Sequence, residues 1–403
     1  MAGLSTGSGL VQASSISGAY VRPSDWPPLP TPPLNAISIL TAVFPTSVNS
    51  ISLKITVVGG YTVDWGDGTV DNWASGVQAE HTYNYVTLNT SVTSRNYKTS
   101  IIQISTQTPG SGITAFDFGT KSSTFSTFSA GSQQWLDITV NTPSATGILF
   151  SNGTQRSSFL EQTTILSVGN ATTLNNAWIQ CFRLQSCVLP TNFGSTATTI
   201  SNTWNRCESL VNITLPSGFG AAVLDANSMF SSCLSLRNII FPAGFGTLAT
   251  NFSNLFAACS ALYSVSFPSG CGAACTTLDS TFFQCDSLTS VVLPAGFGPG
   301  VTTLNNTFNG CTSIENILFP TGFAASLAII TTAFSSCLNL ESIIGLVSPI
   351  TFSVGGCKLS ASALNAIYTA LPTVTLQTLT ASTNYGYAAS TPTIATAKGW
   401  TVN

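Results

Sequence analysis

Charge is the first thing this sequence lacks. Only 6% of the 403 residues are charged, 11 Lys and Arg against 14 Asp and Glu, where soluble domains carry roughly 25%. A net charge of −3 excludes the basic stripe that nucleic acid requires. His81 is the single histidine, which excludes His-rich metal clusters and makes any catalytic triad depend on one residue. No apolar run approaches the ~20 residues of a membrane helix. The opening stretch, "MAGLSTGSGLVQASS", has neither the basic n-region nor the continuous apolar core of a secretory signal. The expectation is a processed chain, or one made in a cytoplasm that leaves by another route, such as inside an assembled particle.

Cysteine, by contrast, is regular. Cys181, Cys207, Cys233, Cys259, Cys285, Cys311 and Cys337 stand 26 residues apart each time. Three residues earlier comes an aromatic, from Trp178 and Trp204 through Phe230, Phe256, Phe282 and Phe308 to Phe334. An aliphatic follows at plus three, a second at plus six, and Pro190, Pro216, Pro242, Pro268, Pro294 and Pro320 close the run before a "GFG"-like turn. The unit reads as a short strand ended by a proline that cannot extend the ladder. Asn202, Ser228, Asn254, Ser280 and Asn306 are placed to cap a short helical turn carrying the aromatic and the cysteine. One unit cannot bury its own apolar side, so the period predicts a solenoid of parallel strands.

The pattern "F-x-x-C-x-x-L-x-x-I-x-L-P" resembles leucine-rich repeats of the bacterial surface-antigen (BspA) type, over roughly residues 170–345. The reading assigns seven coils to 171–345, degenerate coils or an opening cap to 104–170, and a closing cap to 346–403. Within the last, "SASALNAIYTALPTV" reads as a helix. Upstream, "YTVDWGDGTVDNW" reads as a hairpin around an Asp-Gly turn. With Asp64, Trp65, Gly66, Asp67, Gly68, His81 and Tyr83 it resembles a PKD-like immunoglobulin sandwich, expected over 36–103. Residues 1–35 form a Pro-rich arm, "RPSDWPPLPTPPLNA" at its end, expected to dock on a partner or on the chain's own repeats through Trp26, Pro27, Pro28 and Leu29. The fold class is thus mainly β with short helices, a β-sandwich followed by a leucine-rich-repeat solenoid.

A straight row of cysteines converges on no point, as zinc requires, and a nucleophile is not repeated seven times. Buried thiol packing is the reading for the column, with Cys275 and Cys357 outside it and unexplained. Asp64, Asp67 and Asp71 suit either calcium or turn capping, and turn chemistry is the simpler account; no metal and no cofactor is expected. Glu315 and Glu341 occupy equivalent positions in adjacent coils, near the carboxylate separation of a retaining glycosidase, although two solvated glutamates on a strand edge are the preferred reading. The outward strand positions form an uncharged polar row, Ser186, Asn212, Asn238, Ser264, Ser290, Asn316 and Ser342, beside a largely apolar one that includes Val188, Ile240, Val292, Leu318 and Ile344. Contact with a protein or glycan surface is expected there, centred on Ser186, Asn212, Asn238, Ile240, Ser264, Val292, Asn316 and Leu318.

"RPSDW", "YTVDWGDG", "SGVQA" and "RNYK" together resemble structural proteins of marine tailed phages. That resemblance implies a non-enzymatic virion surface component, a head decoration, fibre or tail appendage. Its N-terminal region would attach to other virion proteins, and its repeats would adhere to a host-surface glycan or protein. A homo-oligomer in the particle, no nucleic acid and no membrane insertion are expected. The alternatives are a bacterial cell-surface adhesin and a glycan-cleaving appendage using Glu315 and Glu341.

Overall fold

The computed structural model describes residues 20–45, 49–120, 134–151 and 158–403; the first nineteen residues of the expected arm lie outside these. The chain opens with β1 (Ala36–Val43), β2 (Asn49–Val57), β3 (Tyr61–Asp64), β4 (Val70–Trp73), β5 (Gln78–Tyr83), β6 (Lys98–Thr106), β7 (Ile113–Asp117), β8 (Trp135–Thr142) and β9 (Gly147–Leu149). The Asp-Gly hairpin forms as read, with β3 antiparallel to β4 from Tyr61↔Trp73 to Asp64↔Val70. Two sheets face each other across a shared core that includes Ile37 and Ile39 of β1 and Ile51, Leu53 and Ile55 of β2.

The break expected at residue 103 falls inside β6, and much of 104–170 belongs to the sandwich rather than to coils. β7 pairs antiparallel with β2. β8 pairs antiparallel with β1 on one edge and parallel with β10 (Gln162–Val168) on the other. β10 in turn pairs parallel with β11 (Ser186–Val188). Sandwich and solenoid therefore share one sheet, ordered β11-β10-β8-β1-β6-β3-β4. The switch from antiparallel to parallel happens at β8, where a strand with both edges paired leaves no exposed edge at the junction.

The repeat strands follow as β12 (Asn238–Ile240), β13 (Ser264–Ser266), β14 (Ser290–Val292), β15 (Asn316–Leu318) and β16 (Ser342–Ile344). Each is a three-residue segment; β12 pairs with β13, β14 with β15 and β15 with β16, always with the residue 26 positions away, while β13 and β14 do not pair. A second ladder runs on the far side of the coils as single parallel bridges, Thr173↔Thr199↔Asp225↔Asn251↔Thr277↔Thr303↔Ile329.

The expected helical turn before each cysteine is absent. Asn176, Asn202, Ser228, Asn254, Ser280, Asn306 and Thr332 sit in the left-handed region with φ between 53° and 61°. They cannot start a right-handed helix from there. The physical reason is visible in the backbone bonding. N–H groups of Ile200, Asn202, Trp204 and Arg206 point along the solenoid axis to carbonyls of the next coil, at 2.8–3.0 Å. The intervening Thr203, Asn205 and Cys207 N–H groups close tight turns three residues back. A left-handed residue every fourth position lets the segment serve both uses.

The thiols complete this network. The Sγ atoms of Cys207, Cys233, Cys259, Cys285, Cys311 and Cys337 each donate to the carbonyl of the aromatic residue 29 earlier, at 3.0–3.2 Å. That carbonyl already accepts the N–H of its own coil's cysteine. The column is thus more than filler: each thiol bonds one coil to the next. Cys357, unexplained by spacing, does the same from the closing segment, reaching the Phe334 carbonyl at 3.7 Å. Cys275 donates to the Thr277 carbonyl at 3.4 Å. All eleven cysteines are free thiols. Burial pushes Cys259 up to about 12, so it stays protonated and remains a donor.

Above the thiols the aromatics stack, with centroids 5.2–6.1 Å apart from Trp178 to Phe334. Phe150 extends the stack at 4.8 Å from Trp178 and meets Phe116 of the sandwich edge-on. The "GFG" turns lie alongside: Gly220 has φ 71°, and a Cβ there would meet the Phe245 ring at 2.5 Å. After β16 come β17 (Phe352–Ser353), α1 (Ala361–Ala370), β18 (Gln377–Thr380), α2 (Thr393–Thr396) and β19 (Trp400–Val402). The three strands pair in parallel, and Ser360 caps α1 by accepting from Ala363 N.

The described part of the arm docks on the chain itself, mainly on the sandwich sheet, with Tyr20 reaching the first repeat coils. Trp26 is 3% exposed and packs with Leu40, Ala42, Tyr97 and Leu136, donating Nε1 to the Tyr97 hydroxyl at 3.0 Å. This explains why β1 is buried on both faces. Arg22 binds Asp137 and the carbonyls of Trp26 and Pro27, and Arg95 pairs with buried Glu161.

Cys233→Ala removes one thiol bond and a small buried volume, so it is expected to lower stability by about 1–2 kcal/mol in urea unfolding. Trp26→Ala is expected to free the arm and expose the Tyr20–Val21 bond to chymotrypsin in limited proteolysis, leaving the repeat region protected.

Candidate binding face

The outward positions of the repeat strands fall into the two rows read from sequence. Asn238 opposes Ser264, and Ser290, Asn316 and Ser342 follow one another across β14, β15 and β16. The second row is solvent-facing and apolar: Ile240 is 69% exposed, Val292 59% and Ile344 56%, with Val188 and Leu318 also exposed. Inward-pointing Ile239, Val291, Ile317 and Ile343 are buried, as a two-residue alternation requires. Of the residues singled out, Ser186, Asn212, Asn238, Ile240, Ser264, Val292, Asn316 and Leu318 all lie on this face.

The arm residues are elsewhere. Trp26 is occupied within the chain and Leu29 packs against the same small cluster; Pro28 is exposed and Pro27 half-buried. Trp26 is therefore an internal anchor and offers nothing to a partner.

The carboxylates divide differently. Asp64 accepts from Gly66 N at 2.9 Å, Asp67 from Thr69 N at 3.0 Å, and Asp71 from Trp65 Nε1 at 2.9 Å. These are turn and side-chain caps. Among the described residues no group of three or more His, Cys, Asp or Glu is placed to hold a metal ion. His81 stacks on Trp65 at 4.9 Å and sets Nε2 2.8 Å from Asp67 Oδ2. Partial burial would raise the Asp67 carboxyl, but the bonds from His81 and Thr69 outweigh it and hold it below the usual range. Glu315 and Glu341 are exposed, and Lys358 binds Glu341 at 2.6 Å. A carboxylate held by lysine on an open surface is poorly suited to act as a glycosidase acid or nucleophile.

The strand ladder breaks twice, between β13 and β14, which do not pair, and at the coil before β12. Residues 212–214 pair with neither neighbour, so β11 and β12 each end a sheet there. Clefts open on both sides, about 550 Å³ toward β11 and about 470 Å³ toward β12. A uniform 26-residue pattern carries no signal for this break. "VNIT" at 211–214 differs from its neighbours only within the repeat's ordinary variation, and nothing in the structure explains why it unpairs.

Residues 171–299 and 278–352 match the model of the BspA type leucine rich repeat region, in six copies. The chain carries BspA-type leucine-rich repeats. Similar solved structures include a leucine rich cell surface protein from Faecalibacterium prausnitzii, 18% identical with a TM-score of 0.27, covering 56% of this chain and 73% of that one. A leucine-rich repeat protein from Bacteroides ovatus is 16% identical with a TM-score of 0.32, covering 71% and 84%. At these values neither carries an argument. Among curated proteins none matches.

Asp67 gives a pH prediction. A carboxyl whose folded pKa is depressed stabilises the fold above its unfolded value, and that contribution is lost as pH falls through the folded pKa. Asp67→Ala is expected to cost about 1–2 kcal/mol at neutral pH, a deficit that shrinks as acid is added. Equal deficits at pH 7 and pH 2.5 in denaturant titrations would rule out this role.

Proposed function

We propose that this is a non-enzymatic adhesive repeat protein of a surface, in which the BspA-type solenoid presents its uncharged strand face to a binding partner. The observation that supports it most is the row Val188, Ile240, Val292, Leu318 and Ile344. Five exposed apolar side chains stand at equivalent strand positions of their coils, with Thr214 and Ser266 between them, where exposed β positions in a soluble monomer are normally polar. The Ser/Asn row beside it supplies hydrogen-bond donors and acceptors without charge.

In the finer form of this proposal the surface is that of a virion. The sandwich, which resembles a PKD-like module, attaches to other virion proteins while the solenoid projects, in a symmetric assembly of copies. Eleven free thiols favour folding in a reducing cytoplasm over export through an oxidising compartment. The repeat type itself favours the second reading, a bacterial cell-surface adhesin. Antibody labelling of purified particles separates the two: decoration of the particle surface supports the first, and label confined to bacterial cells overturns it.

Adhesion is tested by changing the apolar row. The double variant Ile240→Lys with Leu318→Lys is expected to lose at least about tenfold in attachment to an immobilised bacterial envelope preparation, roughly 1.4 kcal/mol or more, with its unfolding curve unchanged. Undiminished attachment of the folded variant would overturn the adhesive role of this face.

A further inference from the structure

The strand face is not uniform, and the coil at 212–214, unpaired on both sides, has the chemistry of a ligand site. At residues 212–215 the backbone N–H and carbonyl groups meet no partner among the described residues. Elsewhere in the array those groups enter the strand ladders, except on the edges where β13 and β14 face each other unpaired. Such groups demand hydrogen bonds, from water or from a ligand. The two flanking clefts share Asn212, Ile213 and Thr214 as a common wall, a divided depression across this coil. Tyr20, Ser186 and Val188 wall one end, and Asn238, Ile240 and Pro242 the other. The Tyr20 hydroxyl is buried there with no hydrogen-bond partner.

We propose that this depression binds a neutral oligosaccharide. The proposal rests on the adhesive reading of the face and supplies its ligand class. No residue lining either cleft carries a charge, which disfavours anionic ligands such as sialylated or sulfated glycans. A peptide strand inserted as an added ladder is disfavoured by room. Val211 O accepts from Arg237 N at 3.1 Å, and Ser209 N donates to Phe182 O at 3.0 Å. These bonds tie the segment to both neighbouring coils, which cannot part by the ~4.8 Å a further strand needs. Sugar hydroxyls are smaller, and each both donates and accepts. They can satisfy an N–H on one coil and a carbonyl on the next without moving either. Tyr20 adds an aromatic wall, and Val188 and Ile240 give apolar contact for sugar C–H faces, the usual mixture of a small-ligand cleft.

The test uses the full chain in calorimetric titration with maltohexaose, cellohexaose, mannohexaose and chitohexaose, beside sialyllactose and a sulfated hexasaccharide. Binding of at least one neutral probe is expected, with no binding of the two anionic ones. Asn212→Lys and Ser186→Arg, both on the cleft surface, are each expected to weaken the neutral probe at least tenfold. Ser290→Lys, in the same row but away from the cleft, should leave it unchanged. Binding of none of the neutral probes overturns the proposal, as does binding that both cleft variants retain, or preference for the anionic probes. These failures are distinct from failure of the adhesive reading. In the first case the Ile240→Lys with Leu318→Lys variant still loses envelope attachment; in the second it attaches as well as the parent chain.

Discussion

Everything in the repeat region depends on the bonding between one coil and the next. A 26-residue coil has too little interior to hold itself together, and its backbone groups point along the solenoid axis. Stacking satisfies them in three places at once: the short strands, the single bridges on the far side, and the alternating turns around each cysteine. The thiol bond to the preceding aromatic carbonyl belongs to this set. It is weak alone, but it recurs at six successive positions in a dry interior, where an unused acceptor site would otherwise face only apolar neighbours. Cys357 extends the same bond into the closing segment, so the cap engages the array chemically as well as by shape.

The same requirement accounts for the joint between the two halves of the molecule. An array whose first coil were open would expose a strand edge and the face of an aromatic stack. Here β8 covers the edge by pairing with the sandwich strand β1 on its other side, and Phe150 covers Trp178 while reaching Phe116. The sandwich acts as the opening cap, and its hydrophobic core is continuous with that of the coils. The docked arm then covers the outer face of β1, with Trp26 filling the apolar patch and Arg22 and Arg95 balancing Asp137 and Glu161 beneath it.

Function, in this account, is left to positions the stacking does not use. Inward residues are fixed by the core, while the outward rows are free to vary and have varied toward uncharged polar and apolar types. The coil at 212–214 pairs with neither neighbour and lies beside two clefts, and it coincides with the polar row and with Tyr20.

The sequence by itself determined the repeat, its period, the inward and outward rows and the Asp-Gly hairpin. All of these follow from local alternation and from identical residues recurring at a fixed step. The same reasoning read Asn202 and its equivalents as helix caps, because Asn and Ser serve equally well at an N-cap and in a left-handed turn; only the direction of the neighbouring coil's carbonyls decides between them. Spacing also hid Cys357, which arrives 20 residues after Cys337 rather than 26 yet meets the same kind of carbonyl. The shared sheet at β8, the arm's return to its own sandwich, the capture of Glu341 by Lys358 and the open coil at 212–214 were decided by the tertiary structure alone. Each depends on which distant segments meet, and a periodic sequence specifies how a coil meets its neighbour, not how the array begins, ends or breaks.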